Sequence, residues 1–193
     1  MDEQGMAWGA APPGTSHSWS PPSFEIEHQI IRVRFDHDQR AVNASTEIRV
    51  RSVGRALLDT IELDAVGLVI ASVRDGSDRA LIHRQSTDTL SVTLADPLQP
   101  GASATIHIAY SVVRPPAGVY FVDTPRVVWT QGRLEDNRFW LPTVSGASVR
   151  TTWDLFITTN PDERSFATGR LAGSRAVADG MEWHWVQDWA VPL

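Results

Sequence analysis

The sequence predicts an all-β chain of antiparallel sheets, and three observations carry that prediction. Apolar and polar residues alternate with period two in short segments from Phe24 onward. Turn-forming pairs such as Asp75-Gly76, Asp96-Pro97, Pro100-Gly101, Pro115-Pro116 and Asp179-Gly180 punctuate those segments. Apolar spacing of the helical kind is nowhere sustained over the roughly 11 residues that a helix assignment needs.

The elements follow in chain order. Phe24, Ile26, His28 and Ile30 share one parity, after which Ile31, Val33 and Phe35 take the other, so a bulge or bend is expected near Ile30. Asp36-His37-Asp38-Gln39 supplies a turn. Val42, Ala44, Thr46, Ile48 and Val50 then alternate with Asn43, Ser45, Glu47, Arg49 and Arg51, an antiparallel strand wet on one face that completes a hairpin. Further strands are expected at Ala56 to Leu63, Leu68 to Val73, Leu81 to Arg84, Leu90 to Leu94, Ala104 to Val112, Val119 to Val122, Val127 to Thr130 and Thr152 to Thr158. A closing hairpin is expected from Phe166 to Leu171, a turn through AGSRAVADG, and a strand with Met181, Trp183 and Trp185 on one face.

Residues 1–22, rich in Pro, Gly and Ser, read as a flexible tail, and 23–193 as the folded domain. The tail opens with acids and has no apolar stretch of about 7 residues, so it does not read as a secretory signal. Localisation is not legible. The longest nearly apolar run, Ala65 to Ala71, is far below the roughly 18 residues that span a bilayer, so no membrane insertion is expected.

Composition removes several chemistries. The 193 residues include no Cys, which excludes disulfides, thiolate metal sites and Cys nucleophiles. A net charge of −6 argues against a surface for phosphate backbones, and no nucleic acid partner is expected. The basic residues are all Arg, with no Lys, and there is no G-x-S-x-G, G-x-x-x-x-G-K-[ST] or G-x-G-x-x-G. The six histidines form no H-E-x-x-H and no i, i+4 pair. His28, His107 and His184 read as hydrogen-bonded strand residues, and Asp36-His37-Asp38 as a turn ahead of a metal site. The adjacent acids Glu135-Asp136 and Asp162-Glu163 read as loop charges, because adjacency does not place two carboxyls across a cleft. The sequon Asn43-Ala44-Ser45 is too short a motif to carry weight. No catalytic residue and no metal ligand is assigned to this chain.

Tryptophan is the over-used residue, at positions 8, 19, 129, 140, 153, 183, 185 and 189. Trp153 and Trp183 are expected in the core and Trp189 half exposed. A binding module that recognises protein or carbohydrate through exposed tryptophans is one functional class this allows.

The most specific stretch is Val127 to Arg138, VVWTQGRLEDNR, followed by Phe139-Trp140-Leu141-Pro142. It resembles the N-terminal β-domain of the zinc aminopeptidases typified by aminopeptidase N and the tricorn-interacting aminopeptidases. In that family a strand ends in T-Q-x-E, then come an acidic segment, an Arg and an aromatic-F-P-C-x-D-x-P run; here TQGR, LEDNR and FWLP stand in that order. Thr152-Trp153-Asp154-Leu155 resembles the family's T-F-D-L strand, Ala167 to Leu171 its S-N-G-x-L turn, and Trp183 to Leu193 its W-x-W exit. The likeness covers roughly residues 24 to 193.

The resemblance implies a saddle-like β-sandwich, non-catalytic by itself, that packs on the catalytic domain of the same protein. Zinc is expected in that missing domain, with no cofactor in this chain. Gln131, at the T-Q position, is expected at the edge of the pocket that receives a peptide N-terminus. The next family position is a Glu that helps bind the free α-amino group; here it is Arg133, and a cation facing an ammonium repels it. Thr143 to Ala147 replace the C-x-D-x-P part, so the usual acid and proline are absent. Residues beyond Leu193 discriminate the two classes: a G-x-M-E-N loop followed by H-E-x-x-H favours the peptidase, an unrelated domain the binding module.

Overall fold

The structure, a computed structural model, describes residues 23–133, 135–145 and 149–192. The expected tail at 1–22, with Trp8 and Trp19, lies outside the described residues, as do Gly146 and Ala147 of the altered segment.

The strands are β1 (Phe24–Asp36), β2 (Ala41–Ser52), β3 (Leu58–Asp64), β4 (Val69–Asp75), β5 (Ile82–Gln85), β6 (Thr89–Leu98), β7 (Ser103–Val113), β8 (Val119–Asp123), β9 (Arg126–Thr130), β10 (Thr151–Thr159), β11 (Arg170–Val177) and β12 (Gly180–Val191). A single turn of 3-10 helix, Asp136–Phe139, interrupts them. Among the described residues the class is all-β, as the alternation predicts. A seven-stranded sheet runs in the order β11, β12, β10, β1, β2, β7, β4; a three-stranded sheet runs β3, β6, β5; β8 and β9 pair by themselves.

Alternation gives the central strands a wet and a dry face. In β2, Val42, Ile48 and Val50 are fully buried while Asn43, Arg49 and Arg51 are exposed. The dry face of β1, β2, β4 and β7 meets Ile61, Leu63, Leu90 and Val92 of the small sheet, with Trp140 and Leu141 filling the seam, and this layer is the main core. The inner face continues past β1 into a second cluster of Trp153, Trp183 and Trp185, with Leu155 and Ile157 touching both.

Three details depart from the sequence reading. The parity reversal in β1 sits between Ile26 and His28, not near Ile30. Gln29 therefore turns into the core with Ile31 and Val33, and His28 turns out; an inward Gln is invisible to a hydrophobic pattern. The sheet also contains a parallel pair, β1 with β10, because the long crossover through the smaller sheets returns the chain to the end where β1 begins. Finally, the closing hairpin is β11–β12, with its strand at Arg170–Val177 where a turn was expected and only Ala178-Asp179 between the strands. Its small residues Ala172, Gly173 and Ala176 hide the alternation because, among the described residues, nothing covers that edge strand.

Candidate functional site

The residues singled out by the sequence lie on and just beyond the β8–β9 hairpin. Its register pairs Val119 with Thr130, Tyr120 with Trp129 and Phe121 with Val128. Phe121 and Val128 pack on the main core. Tyr120 and Trp129 therefore occupy the opposite face, where their rings stack at 4.3 Å and 18°. Trp129 remains 44% exposed, and Val127 beside it 45%. The result is a stacked aromatic surface that faces solvent.

Gln131 extends this hairpin by one step, since its amide donates to the Gly118 carbonyl at 3.0 Å. Gln131 stands two residues after Trp129 and is exposed, as is Arg133 two residues further on. The base of the hairpin is tightly built. Gly118 has φ of +81°, and a Cβ there would strike the Asp136 carbonyl and the Trp140 ring. Gly132 lies so close to Asn137 that a Cβ would stand 2.6 Å from its Nδ2. Asn137 Oδ1 in turn accepts from the Trp140 indole at 3.1 Å, which anchors the 3-10 turn to the core. Gln131 and Arg133 are thus held near one another on a backbone whose path is fixed from both sides.

The altered segment after Pro142 is bound to β3. Asp64 and Thr143 exchange both backbone hydrogen bonds, at 2.7 and 3.1 Å, and the Ser145 amide donates to the Asp64 carboxylate at 2.7 Å. Two of the loop acids have partners close by in sequence. Glu135 pairs with Arg138 at 3.0 Å, and Glu163 accepts from the Asn160 amide at 3.0 Å.

The tryptophans separate into two groups. Trp153, Trp183 and Trp185 are buried, with the indoles of Trp183 and Trp185 donating to Thr159 Oγ1 at 3.0 Å and Ser165 Oγ at 2.9 Å. Trp189 is 69% exposed at the far end of β12. Trp129 and Trp189 lie on different elements.

Sequence reasoning treated the strand histidines one by one and missed that two share a carboxylate. On the outer face of the large sheet, Asp154 of β10 receives His28 of β1 at 3.1 Å and His184 of β12 on its other oxygen. His28 Nδ1 also meets Thr152 Oγ1 at 2.8 Å, and Phe156 stacks on His184 at 4.1 Å beneath Arg32. Only cross-strand register reveals this grouping, because the three residues come from distant parts of the chain. Among the described residues no group of three or more His, Cys, Asp or Glu is arranged to hold a metal ion, and no helix is long and apolar enough to cross a membrane.

Comparison with solved structures places this architecture. An M1 zinc metallopeptidase from Deinococcus radiodurans superposes with a TM-score of 0.78 at 16% identity, over 88% of this chain and 40% of that chain. A two-domain M1 zinc metallopeptidase variant bound to L-tryptophan gives 0.76 at the same identity and coverage. Leukotriene A4 hydrolase from Saccharomyces cerevisiae gives 0.73 at 14% identity, over 88% of this chain and 28% of that chain. The chain shares the fold of a part of these enzymes and spans well under half of their length. No family model matches the chain, and no curated protein does.

Proposed function

We propose that this chain is the non-catalytic β-domain of a zinc aminopeptidase-like protein, packing on a catalytic domain and lining the pocket that receives a peptide N-terminus. One observation carries the reading. The T-Q strand end, which resembles the family's pocket edge, falls on the exposed face of the β8–β9 hairpin in a chain whose fold recurs in M1 zinc metallopeptidases. On this reading Gln131 offers an amide to the first residue of the peptide. Arg133 brings a cation where the family has a carboxylate, so it does not anchor a free ammonium. The exposed Trp189 belongs to the surface that the catalytic domain covers. Zinc and the nucleophilic water it activates belong to that domain, and this chain contributes the wall.

The test begins with the coding sequence beyond Leu193, where an H-E-x-x-H helix supports the reading and an unrelated domain overturns it in favour of a binding module. In the whole protein, Gln131→Ala is expected to lower kcat/KM on leucine p-nitroanilide about tenfold, the scale of one lost hydrogen bond to substrate. Chelator-sensitive turnover by the 193-residue chain alone refutes the non-catalytic assignment.

A further inference from the structure

The β8–β9 hairpin belongs to neither larger sheet, so something other than backbone pairing must fix the end opposite Gly118. The β1–β2 turn does this. Arg40 on the turn donates to Asp123 on the hairpin at 2.7 Å and to the Phe121 carbonyl at 3.0 Å. In the reverse sense, Arg126 on the hairpin donates to Asp38 on the turn at 3.0 Å, and its Nε lies 3.7 Å from Glu163 in the loop after β10. His37 Nε2 lies 2.9 Å from the Val122 carbonyl and 3.8 Å from Asp123, and its ring meets Phe121 edge-on at 6.0 Å. Each partner thus supplies one guanidinium and one carboxylate to the other.

We propose that this crossed pair is an ionic latch, and that Asp38 and Arg40 are positioning residues for the surface that carries Trp129 and Gln131. What the surface does rests on the function proposed above; the latch itself does not. Trp129 follows Arg126 by three residues and Gln131 by five, so a tilt of the tip is carried directly into both. The neighbouring Asp38 carboxylate, then Glu163, raises the Arg126 guanidinium above its ordinary value, in the direction an engaged pair requires. Single exposed ion pairs contribute little to global stability. A two-stranded hairpin off the main sheets sits at the low end of local stability, where the same contribution decides how often it opens. Because both pairs are exposed to solvent, salt weakens the latch.

Amide hydrogen exchange on the 193-residue chain tests this with a double-mutant cycle. Arg40→Gln and Asp123→Asn are each expected to speed exchange of the β8–β9 amides about threefold to tenfold, and the double variant no more than the larger single effect. Amides of β1, β2 and β7 keep their rates. In the unmodified chain, raising NaCl from about 0.05 M to 0.5 M accelerates the same hairpin amides selectively. Independent single effects that multiply, or hairpin exchange indifferent to both salt and the variants, overturn the latch. Loss of the proposed role of Gln131 in peptide binding leaves these exchange rates untouched, so the two ideas fail separately.

Discussion

Gln29 of β1 donates its side-chain amide to Thr46 Oγ1 of β2 at 2.9 Å and to the Pro142 carbonyl at 3.3 Å, all inside the core. That amide ties the large sheet to the segment following the 3-10 turn, while Gln29 Oε1 is buried without a partner among the described residues. The two ends of the amide act in opposite senses: losing the Nε2 donor strands the Pro142 carbonyl, and losing Oε1 relieves an unsatisfied group. Gln29→Met keeps the volume and removes both, so its denaturation midpoint is expected within about 1 kcal/mol of the parent. Gln29→Ala adds a cavity and is expected to cost about 2–4 kcal/mol. Urea unfolding of both variants checks the pair.

Tyr110 of β7 is 4% exposed, and among the described residues its buried hydroxyl has no hydrogen-bond partner. Tyr110→Phe removes that uncompensated group and leaves the ring, so the chain is expected to gain up to about 2 kcal/mol. Burial also pushes the phenol above its ordinary value of 10.0. A raised folded value means that the contribution is complete below pH 10 and is lost as pH climbs from there towards the folded value. Thermal melts of the parent are therefore expected to fall more steeply above pH 10 than those of Tyr110→Phe.

Gly118 joins the hairpin to the 3-10 turn in a conformation that L side chains rarely adopt, with the Asp136 carbonyl in the place of a Cβ. Its carbonyl is also the acceptor that holds the Gln131 amide at 3.0 Å. Gly118→Ala is expected to cost about 1–3 kcal/mol from backbone strain alone, and to displace Gln131. Amide chemical shifts at Gln131 and Asn137 should move in this variant while those of β2 and β7 stay put.

Alternation made the sheets legible in the sequence wherever a strand has one buried and one solvated face, as the buried Ile48 and exposed Arg49 of β2 show. The T-Q strand end was legible for a different reason, a resemblance in residue order, and periodicity contributed nothing to it. Gln29 escaped because pattern reading ranks an amide as outward, and only its partners Thr46 and Pro142 make the inward position tolerable. The latch escaped because Arg40 and Asp123, like Asp38 and Arg126, lie far apart in sequence, and the turn chemistry of Asp36 to Gln39 already accounted for the turn's residue types. The His28, Asp154 and His184 grouping needed the parallel β1–β10 register, which no local signal encodes.

Trp185 shows how far the second core depends on a polar contact. Its indole donates to Ser165 Oγ at 2.9 Å, and Ser165 belongs to the irregular segment between β10 and β11 that covers the tryptophan trio. The next residue, Phe166, is 84% exposed, so apolar burial at that point does not hold the segment down. Trp185→Phe keeps most of the apolar area and deletes the donor; it is expected to cost about 1 kcal/mol, and Ser165→Ala about the same. Made together, the two changes should cost little more than either, since each removes the same bond. Trp185→Ala instead empties the cluster, at about 3–5 kcal/mol. Urea midpoints separate these cases. Additive costs in the double variant mean that the segment is held by something other than this hydrogen bond, such as Ala167 packed against the trio or the Arg164 guanidinium 5.9 Å above the Trp183 ring.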